Sequence, residues 1–595
     1  MKFNVGAKLS SPLSTMMFVV KLYIKNAPFK ILWECLLNAI KNIMVVITSV
    51  WLLQRLTELV LEGASFTESL LPLGIVTAAN IVVGLICKFY TNCLKPQSDL
   101  KIKTQYEKII LNHAKQLPIH YYENSEFYTT LQQAQDGVSA VFSAYDDFVN
   151  IFAQAAAIVS AIRVTISIDP FLLLFVAFTF PMIMISRKIS KRSAQKKLDM
   201  ELPDRRKEYA KSIWLEKNFA REFKTSNAAK VIDKQYDEAY EIAMNIHSDY
   251  GRKLFGLNMF ESCFSITSIS VLSYLYCILK FTYVDSFYVS DVSVVVVSIM
   301  NMVSRIRRIY KSYGHVGKYQ IQLNALKEFL QYSPEDENVD GMEPDVFQSL
   351  EFRQVWFSYD KQNWVLKNIS FKINAGEKIA IVGYNGAGKS TLIKLMLRFY
   401  DIDRGEILYN GINIKKYKLN EYRRKFSAAF QDYKMFSVKL SENMLMKEYS
   451  LAEKEKLDTV LTDLNMEELV GKENLLLGRE YDTQGLVLSG GQQQKIAVSR
   501  LNFNDFDIAL LDEPSAALDP VSSYKMLNSV MRLVGNRTML MVSHDMSFSK
   551  CADKTLFFEA GELAEMGSHA ELMKQNSKYA LFFMSQAKQY QSSAG

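Results

Sequence analysis

The sequence predicts an α-helical membrane domain of six crossings with long cytosolic extensions, followed by an α/β domain built around a phosphate-binding loop. Three observations predict it. Long uncharged apolar runs are confined to the first 330 of the 595 residues. In the second half a strand-like run, Lys378–Val382, opens into a glycine-rich loop that ends in Gly-Lys-Ser. Between the halves, residues 333–344 (SPEDENVDGMEP) are acidic and carry two prolines and a glycine, a composition of turns rather than packed structure. The expected boundaries are 1–330 for the membrane domain, 331–344 for the linker and 345–590 for the second domain.

Composition alone is silent on the membrane. With 49% hydrophobic and 22% charged residues the chain sits near the soluble average, which excludes disordered, collagen-like and disulfide-rich classes. An apolar half averaged with a polar half gives the same figures. The six cysteines form no C-x-x-C pair and no zinc-spaced cluster, so they read as small apolar residues. Nothing points to an oxidising compartment.

The apolar runs supply the crossings. Residues 69–87, 262–279 and 170–186 hold nineteen, eighteen and seventeen residues without a charge. About 20 are needed to span the hydrocarbon core. Shorter runs at 42–54, 148–162 and 292–304 complete a set of six. The connection 57–69 carries three glutamates and no basic residue, and 281–291 has none either. The stretch 187–224 carries thirteen Lys/Arg against six Asp/Glu. Basic loops stay cytoplasmic, which places both termini and the loops 88–140 and 187–252 inside. Those loops lack strand signals and read as cytosolic extensions of the membrane helices. Residues 12–25 have the pattern of a short amphipathic helix lying on the membrane surface rather than a signal peptide. The net charge of +7, matched by the excess in 187–224 alone, therefore reads as membrane orientation and not as a nucleic-acid surface.

The second half carries phosphate chemistry. Gly383-Tyr-Asn385-Gly386-Ala-Gly388-Lys389-Ser390-Thr391 is G-x-x-x-x-G-K-S after a strand and before a helical pattern, Leu392–Phe399. Its glycines let backbone N–H groups wrap phosphates at a helix N-terminus. Lys389 brings a cation to the β/γ-phosphates and Ser390 a hydroxyl to Mg2+. The run Ile508–Glu513 ends an apolar strand in two carboxylates: Asp512 to hold the metal and Glu513 to orient the attacking water. Leu488-Ser489-Gly490-Gly491-Gln492 opens a helical stretch, Gln493–Asn502.

This ordered set resembles that of ATP-binding cassette (ABC) transporters over nearly the whole chain. The resemblance implies further roles. Tyr359 stacks on adenine, Gln431 contacts Mg2+ and relays to the membrane domain, and His544 contacts the γ-phosphate. Ser489, Gly490, Gly491 and Gln492 bind the γ-phosphate of ATP held by the opposing subunit, and Asp519 couples the two sites. It implies an ATP hydrolase with ATP and Mg2+ as cofactors. Glu513, His544 and Gln431 are its catalytic residues, and Ser390, Gln431 and Asp512 its metal ligands. One ATP domain per chain implies a dimer, and a full set of competent residues favours a homodimer over a heterodimer. Segments 117–128 and 218–224 resemble the family's two coupling helices. The stretch from Leu477, LGREYDTQGLV, resembles the form found before the signature in bacterial exporters of bacteriocins and other peptides.

Membrane helices ahead of the ATPase on one chain resemble exporters. The expected activity is ATP-driven export across the cell membrane by a multi-pass protein, with a peptide substrate and no nucleic-acid partner. Multidrug or lipid export is the alternative on the same fold; an ATP-gated channel or regulatory receptor is the rival from another class. No domain with a catalytic cysteine precedes the first crossing, so leader cleavage is not expected. Asn80, Arg163, Glu261 and Asn301 are the candidate substrate contacts, because polar groups in lipid are costly.

Overall fold

A computed structural model of the chain describes residues 11–592 except 169, 174–179, 217–218, 264–268, 284–288, 515–519, 544–545 and 547. It divides into two compact units. One runs to Leu117 and resumes over Asn124–Pro334; the other holds Pro118–Glu123 and the chain from Glu335 onward.

Every described element of the first unit is a helix. Pro12–Asn26 starts at a reciprocal cap: the Ser14 N–H donates to Ser11 Oγ, and the Ser11 N–H donates to Ser14 Oγ. Pro12 sits in its first turn, where a missing N–H costs nothing. Among the described residues two helices are long and apolar enough to cross a bilayer, Pro28–Leu61 and Phe66–Lys115. Each passes through a π-helical turn, at Ile47–Trp51 and Tyr90–Leu94. On the second, Leu71, Ile75 and Leu85 are each more than 60% exposed (67%, 61% and 64%), an apolar face with no protein over it. The connection between the two is shorter than the expected 57–69. The first helix runs to Leu61 and the next begins at Phe66, because Ser65 and Glu68 form a capping box.

Runs 148–162 and 292–304 lie inside the long helices Ser125–Ile168 and Val289–Phe329. Runs 170–186 and 262–279 fall partly outside the described residues. The helices meet through small side chains: Ala157 and Ala161 pack with Val46, Val50, Val294 and Met302. Polar groups meet there too. The π-turn offers two hydroxyls, Thr48 Oγ1 to the Asn80 amide at 2.7 Å and Ser49 Oγ to Asn301 at 3.2 Å. Two of the four candidate substrate contacts are thus used between helices. Glu261 accepts from Arg307 Nε at 3.2 Å, and Arg163 is exposed.

In the second unit β1 (Ser349–Phe357), β2 (Leu366–Asn374), β4 (Arg404–Tyr409) and β5 (Ile412–Asn413) form an antiparallel sheet. A six-stranded sheet runs β10-β9-β3-β8-β7-β6. Its members are β3 (Lys378–Gly383), β6 (Phe426–Ala429), β7 (Ile508–Asp512), β8 (Thr538–Val542), β9 (Lys554–Glu559) and β10 (Glu562–Gly567). Strands β6, β7, β8, β3 and β9 are parallel, with β10 antiparallel at the edge. The inner strands β3, β7 and β8 are buried throughout, as continuous apolar runs in a doubly covered sheet should be.

Register brings the chemistry to one edge. Ala429 pairs with Leu511, Asp512 with Val542, Ile381 with Val542 and Gly383 with Phe558. The residues just past β3, β6, β7 and β8 therefore share the carboxyl edge, where ligands of open α/β sheets bind. Gly383 is required there. Its φ is +147°, and a Cβ would lie 2.1 Å from the Phe558 carbonyl oxygen. At Gly386 nothing lies within 4 Å and only the φ of +76° constrains the residue. Gly383→Ala should cost about 1–3 kcal/mol of overpacking beyond the backbone strain. Thermal unfolding of the detergent-solubilised chain should show a larger drop for Gly383→Ala than for Gly386→Ala.

Candidate functional site

The helix Lys389–Met396 begins at Gly388, whose φ of +94° is left-handed. It starts three residues before the expected Leu392. Lys389 is buried, and its ammonium turns back to donate to the carbonyls of Gly383 and Tyr384, each at 2.9 Å. Burial holds this lysine below its ordinary pKa, against the opposing pull of Glu513 and Asp512. A desolvated cation bonded only to dipoles is prepared for an anion.

Ser390 Oγ donates to Asp512 Oδ1 at 3.2 Å. Asp512 is itself buried, and burial lifts its carboxyl above the ordinary carboxylate value; the Ser390 bond opposes this and the charge of Glu513 adds to it. Hydroxyl and carboxylate together suit a hard cation such as Mg2+, which takes few protein oxygens and keeps water and phosphate as its other ligands. Among the described residues no three His, Cys, Asp or Glu side chains gather into a cage of their own.

Glu513 follows with φ +51°, a left-handed conformation that is rare for glutamate. Its N–H donates to the Val542 carbonyl at 2.9 Å, which fixes the turn. Gln431 Nε2, two residues past β6, donates to Glu513 Oε2 at 3.0 Å. The sheet thus sets an amide against the carboxylate expected to orient water.

Tyr359 lies 44% exposed, with its hydroxyl 3.2 Å from Thr391 Oγ1. Phe357 and Tyr400 meet the ring edge-on, with centroids at 4.9 and 5.1 Å. Asn385 and Gly386 are exposed on the loop, and a Cβ at Gly388 would strike Leu366 Cδ2 at 2.5 Å.

The signature residues have other partners. Ser489 caps the helix Gly490–Ser499 by a reciprocal box with Gln492: Gln492 N–H to Ser489 Oγ at 3.2 Å, Ser489 N–H to Gln492 Oε1 at 2.8 Å. The helix therefore starts three residues before the expected Gln493, since Ser-Gly-Gly-Gln is itself a capping box. Gln492 Nε2 donates to Glu468 at 2.9 Å, and the Tyr433 hydroxyl donates to the Gly490 carbonyl at 3.1 Å. Ser489 and Gly490 are exposed, and Gly491 is half-buried behind them. His544 and Asp519 lie outside the described residues.

Three contacts were not expected from the sequence. Gln494 Nε2 reaches the Glu513 carbonyl at 3.5 Å, Lys394 Nζ lies 5.5 Å from the Tyr359 ring centroid, and Tyr433 holds Gly490. The run Gly-Gly-Gln-Gln-Gln was the one signal for Gln494. Lys394 also pairs with Glu123 at 3.5 Å; Glu123 follows the short helix Ile119–Tyr122 in the same unit.

A phosphate loop, a hydroxyl–carboxylate pair and an amide-held glutamate at one sheet edge define a nucleotide-binding P-loop domain. Residues 366–516 match the family described as ABC transporter. The chain is 34% identical over 295 residues to the subtilin transport ATP-binding protein SpaT of Bacillus subtilis, covering 48% of this chain and 47% of that protein. It is 30% identical over 307 residues to an ATP-dependent lipid A-core flippase of Haemophilus influenzae, covering 51% and 52%. The chain spans about half the length of the curated relatives it matches. A solved structure of a bacterial Atm1-family ABC exporter with ATP bound superposes with a TM-score of 0.78 at 19% identity, over 95% of this chain and 98% of that one. Residues 366–516 are thus an ABC transporter ATP-binding domain. The chain as a whole has the ABC exporter fold, with helical and ATP-binding domains fused.

The buried Asp512 gives a pH test. Its folded carboxyl titrates above the ordinary 3.8, so the ionised form is the disfavoured one. The penalty is complete above the folded value and disappears as pH falls through it toward 3.8. Asp512→Asn should raise the thermal stability of the nucleotide-free protein at pH 7.5, and the gain should shrink toward pH 4.5. A gain that persists or grows at low pH would contradict this reading.

Proposed function

We propose that this chain is one half of an ATP-driven exporter. It acts as a homodimer in the cell membrane, with both termini and the ATP-binding domain in the cytoplasm. The observation that carries the reading is the set Lys389, Ser390–Asp512 and Gln431–Glu513 at one sheet edge.

Each residue has a role. Lys389 exchanges its carbonyl partners for the β/γ-phosphates of ATP. Tyr359 offers its exposed ring to adenine. Gly383, Asn385, Gly386, Gly388 and Thr391 shape the loop around the phosphates. Ser390, Asp512 and Gln431 would hold Mg2+, which supplies neutralising charge to the phosphates when bound. Glu513 orients the attacking water and His544 contacts the γ-phosphate. Ser489, Gly490, Gly491 and Gln492 serve the ATP of the second copy, with Asp519 coupling the two sites. ATP then closes two cassettes on each other. Segments 117–128 and 218–224 pass the closure to six membrane helices, the cavity turns outward, and hydrolysis resets it.

We take the substrate to be a peptide, on the form of the segment Leu477–Val487. A lipid is the second reading, favoured by the relatives named lipid A-core flippases.

Glu513→Gln should keep ATP binding and the closed dimer while turnover falls about 10²–10⁴-fold. Full turnover in that variant would remove the assigned role. In proteoliposomes a transported peptide should stimulate ATPase activity and accumulate against its gradient. Stimulation by lipids alone would move the substrate to the second class, and ATP-dependent conductance without accumulation would mark a channel.

A further inference from the structure

Within the first unit a cavity of about 660 Å³ opens between the helices Phe180–Leu215, Ala228–Ser262 and Val289–Phe329. That volume falls in the range of small-molecule sites, roughly 300–1,000 Å³. Its lining is ordered by chemistry. On Val289–Phe329, Ser304, Arg308, Lys311, His315 and Lys318 recur at spacings of three and four and so share one helix face. Facing them on Phe180–Leu215 are Ser186, Ser190 and Ser193, again at spacings of four and three. Gly314 permits the approach, since a Cβ there would lie 2.2 Å from Ser190 Oγ. Ile189, Met300 and Val303 add an apolar wall beside the run 292–304.

The charge does not balance. Among the described lining residues Arg307, Arg308, Lys311 and Lys318 stand with one carboxylate, Glu261, which Arg307 already engages at 3.2 Å. His315 is 3.7 Å from Asp147, which lies outside the lining. Burial and the charge of Lys311 together hold Lys318 below the ordinary lysine pKa, with Asp147 opposing and Lys197 adding to the depression. Arg308 and Lys311 are exposed, while Arg307, His315, Lys318 and the facing serines are half-buried, so the cations stand at the wall of an open cavity opposite a row of hydroxyls. Cations concentrated in a cavity with hydroxyl donors opposite are arranged for an anion.

We propose that this cavity is a binding site for the anionic head group of an amphiphile. The head group, a phosphate or carboxylate, is held by Arg308, Lys311, Lys318 and the facing serines. The apolar body lies along Ile189, Met300 and Val303. Its position on the cytoplasmic side rests on the exporter reading; the site itself does not. Two sources share this chemistry, a bilayer lipid and a cargo molecule.

The test uses the full chain in phosphatidylcholine nanodiscs without nucleotide, with radiolabelled dodecyl phosphate as probe and empty discs as baseline. Saturable binding is expected, weakening as salt rises and not displaced by dodecyltrimethylammonium. R308Q/K311Q should weaken it at least tenfold. E261Q removes the one lining carboxylate and releases Arg307, and should tighten binding, an opposite sign that a general packing defect would not give. Unchanged binding in R308Q/K311Q, unchanged or weaker binding in E261Q, or equal displacement by the cation would overturn the site. If the double variant does not fold, E261Q and the salt dependence decide. Replacing half the lipid by phosphatidylglycerol separates the sources: displacement assigns the site to a bilayer head group, persistence to a cargo, and each supports the site. Binding with no ATPase activity would sink the exporter reading alone. Peptide-stimulated ATPase activity with no dodecyl phosphate binding would sink this site alone.

Discussion

A buried ammonium must find oxygen, and Lys389 finds it in the carbonyls of its own loop. Much of the second unit depends on that arrangement. The loop can turn back over the lysine only because Gly383 and Gly388 adopt conformations open to glycine and sit where side chains would strike Phe558 and Leu366. Burial lowers the pKa of this lysine, and the charges of Glu513 and Asp512, at and just past the end of β7, oppose that shift. Those carboxylates are fixed because β7 lies between β6 and β8 in a parallel register that is buried throughout. Apolar pairing thus holds a set of like and unlike charges at distances they would not keep in water.

The first unit solves the reverse problem. Its helices present apolar faces outward and use polar groups between themselves, where lipid cannot compete for hydrogen bonds. The π-turn at Ile47–Trp51 turns Thr48 and Ser49 toward two asparagines of other helices. Buried Arg305 follows the same rule. Asn42 and Gln154 supply its acceptors, at 3.1–3.2 Å, in place of a carboxylate. The cavity that Glu261 lines departs from the rule, with four Arg/Lys side chains and one carboxylate among its described lining residues.

Local signals were legible where one residue type has one physical use. The phosphate loop, the paired carboxylates after β7 and the two-part fold could all be read from residue order. Element ends were missed where a cap lay inside a motif read for its chemistry: Ser489–Gln492 and Ser65–Glu68 are both capping boxes, and each starts its helix earlier than apolar periodicity suggests. Lys394 over Tyr359 and Gln494 at the Glu513 carbonyl were illegible, because lysine and glutamine on a helix are ordinary surface residues until a neighbour is known.

The sequence by itself determined where the glycine loop and the paired carboxylates lie, where the apolar runs lie and which connections are basic. These follow from side-chain chemistry, backbone freedom at glycine and the cost of charge in hydrocarbon, all local properties. Only the tertiary structure decided that Gln431 meets Glu513 across 82 residues of chain, that Asn80 and Asn301 serve the packing of helices, and that a basic stripe faces a row of serines across a cavity. Strand register and helix packing set those pairings. Both depend on contacts between segments distant in sequence, whose partners no local pattern names.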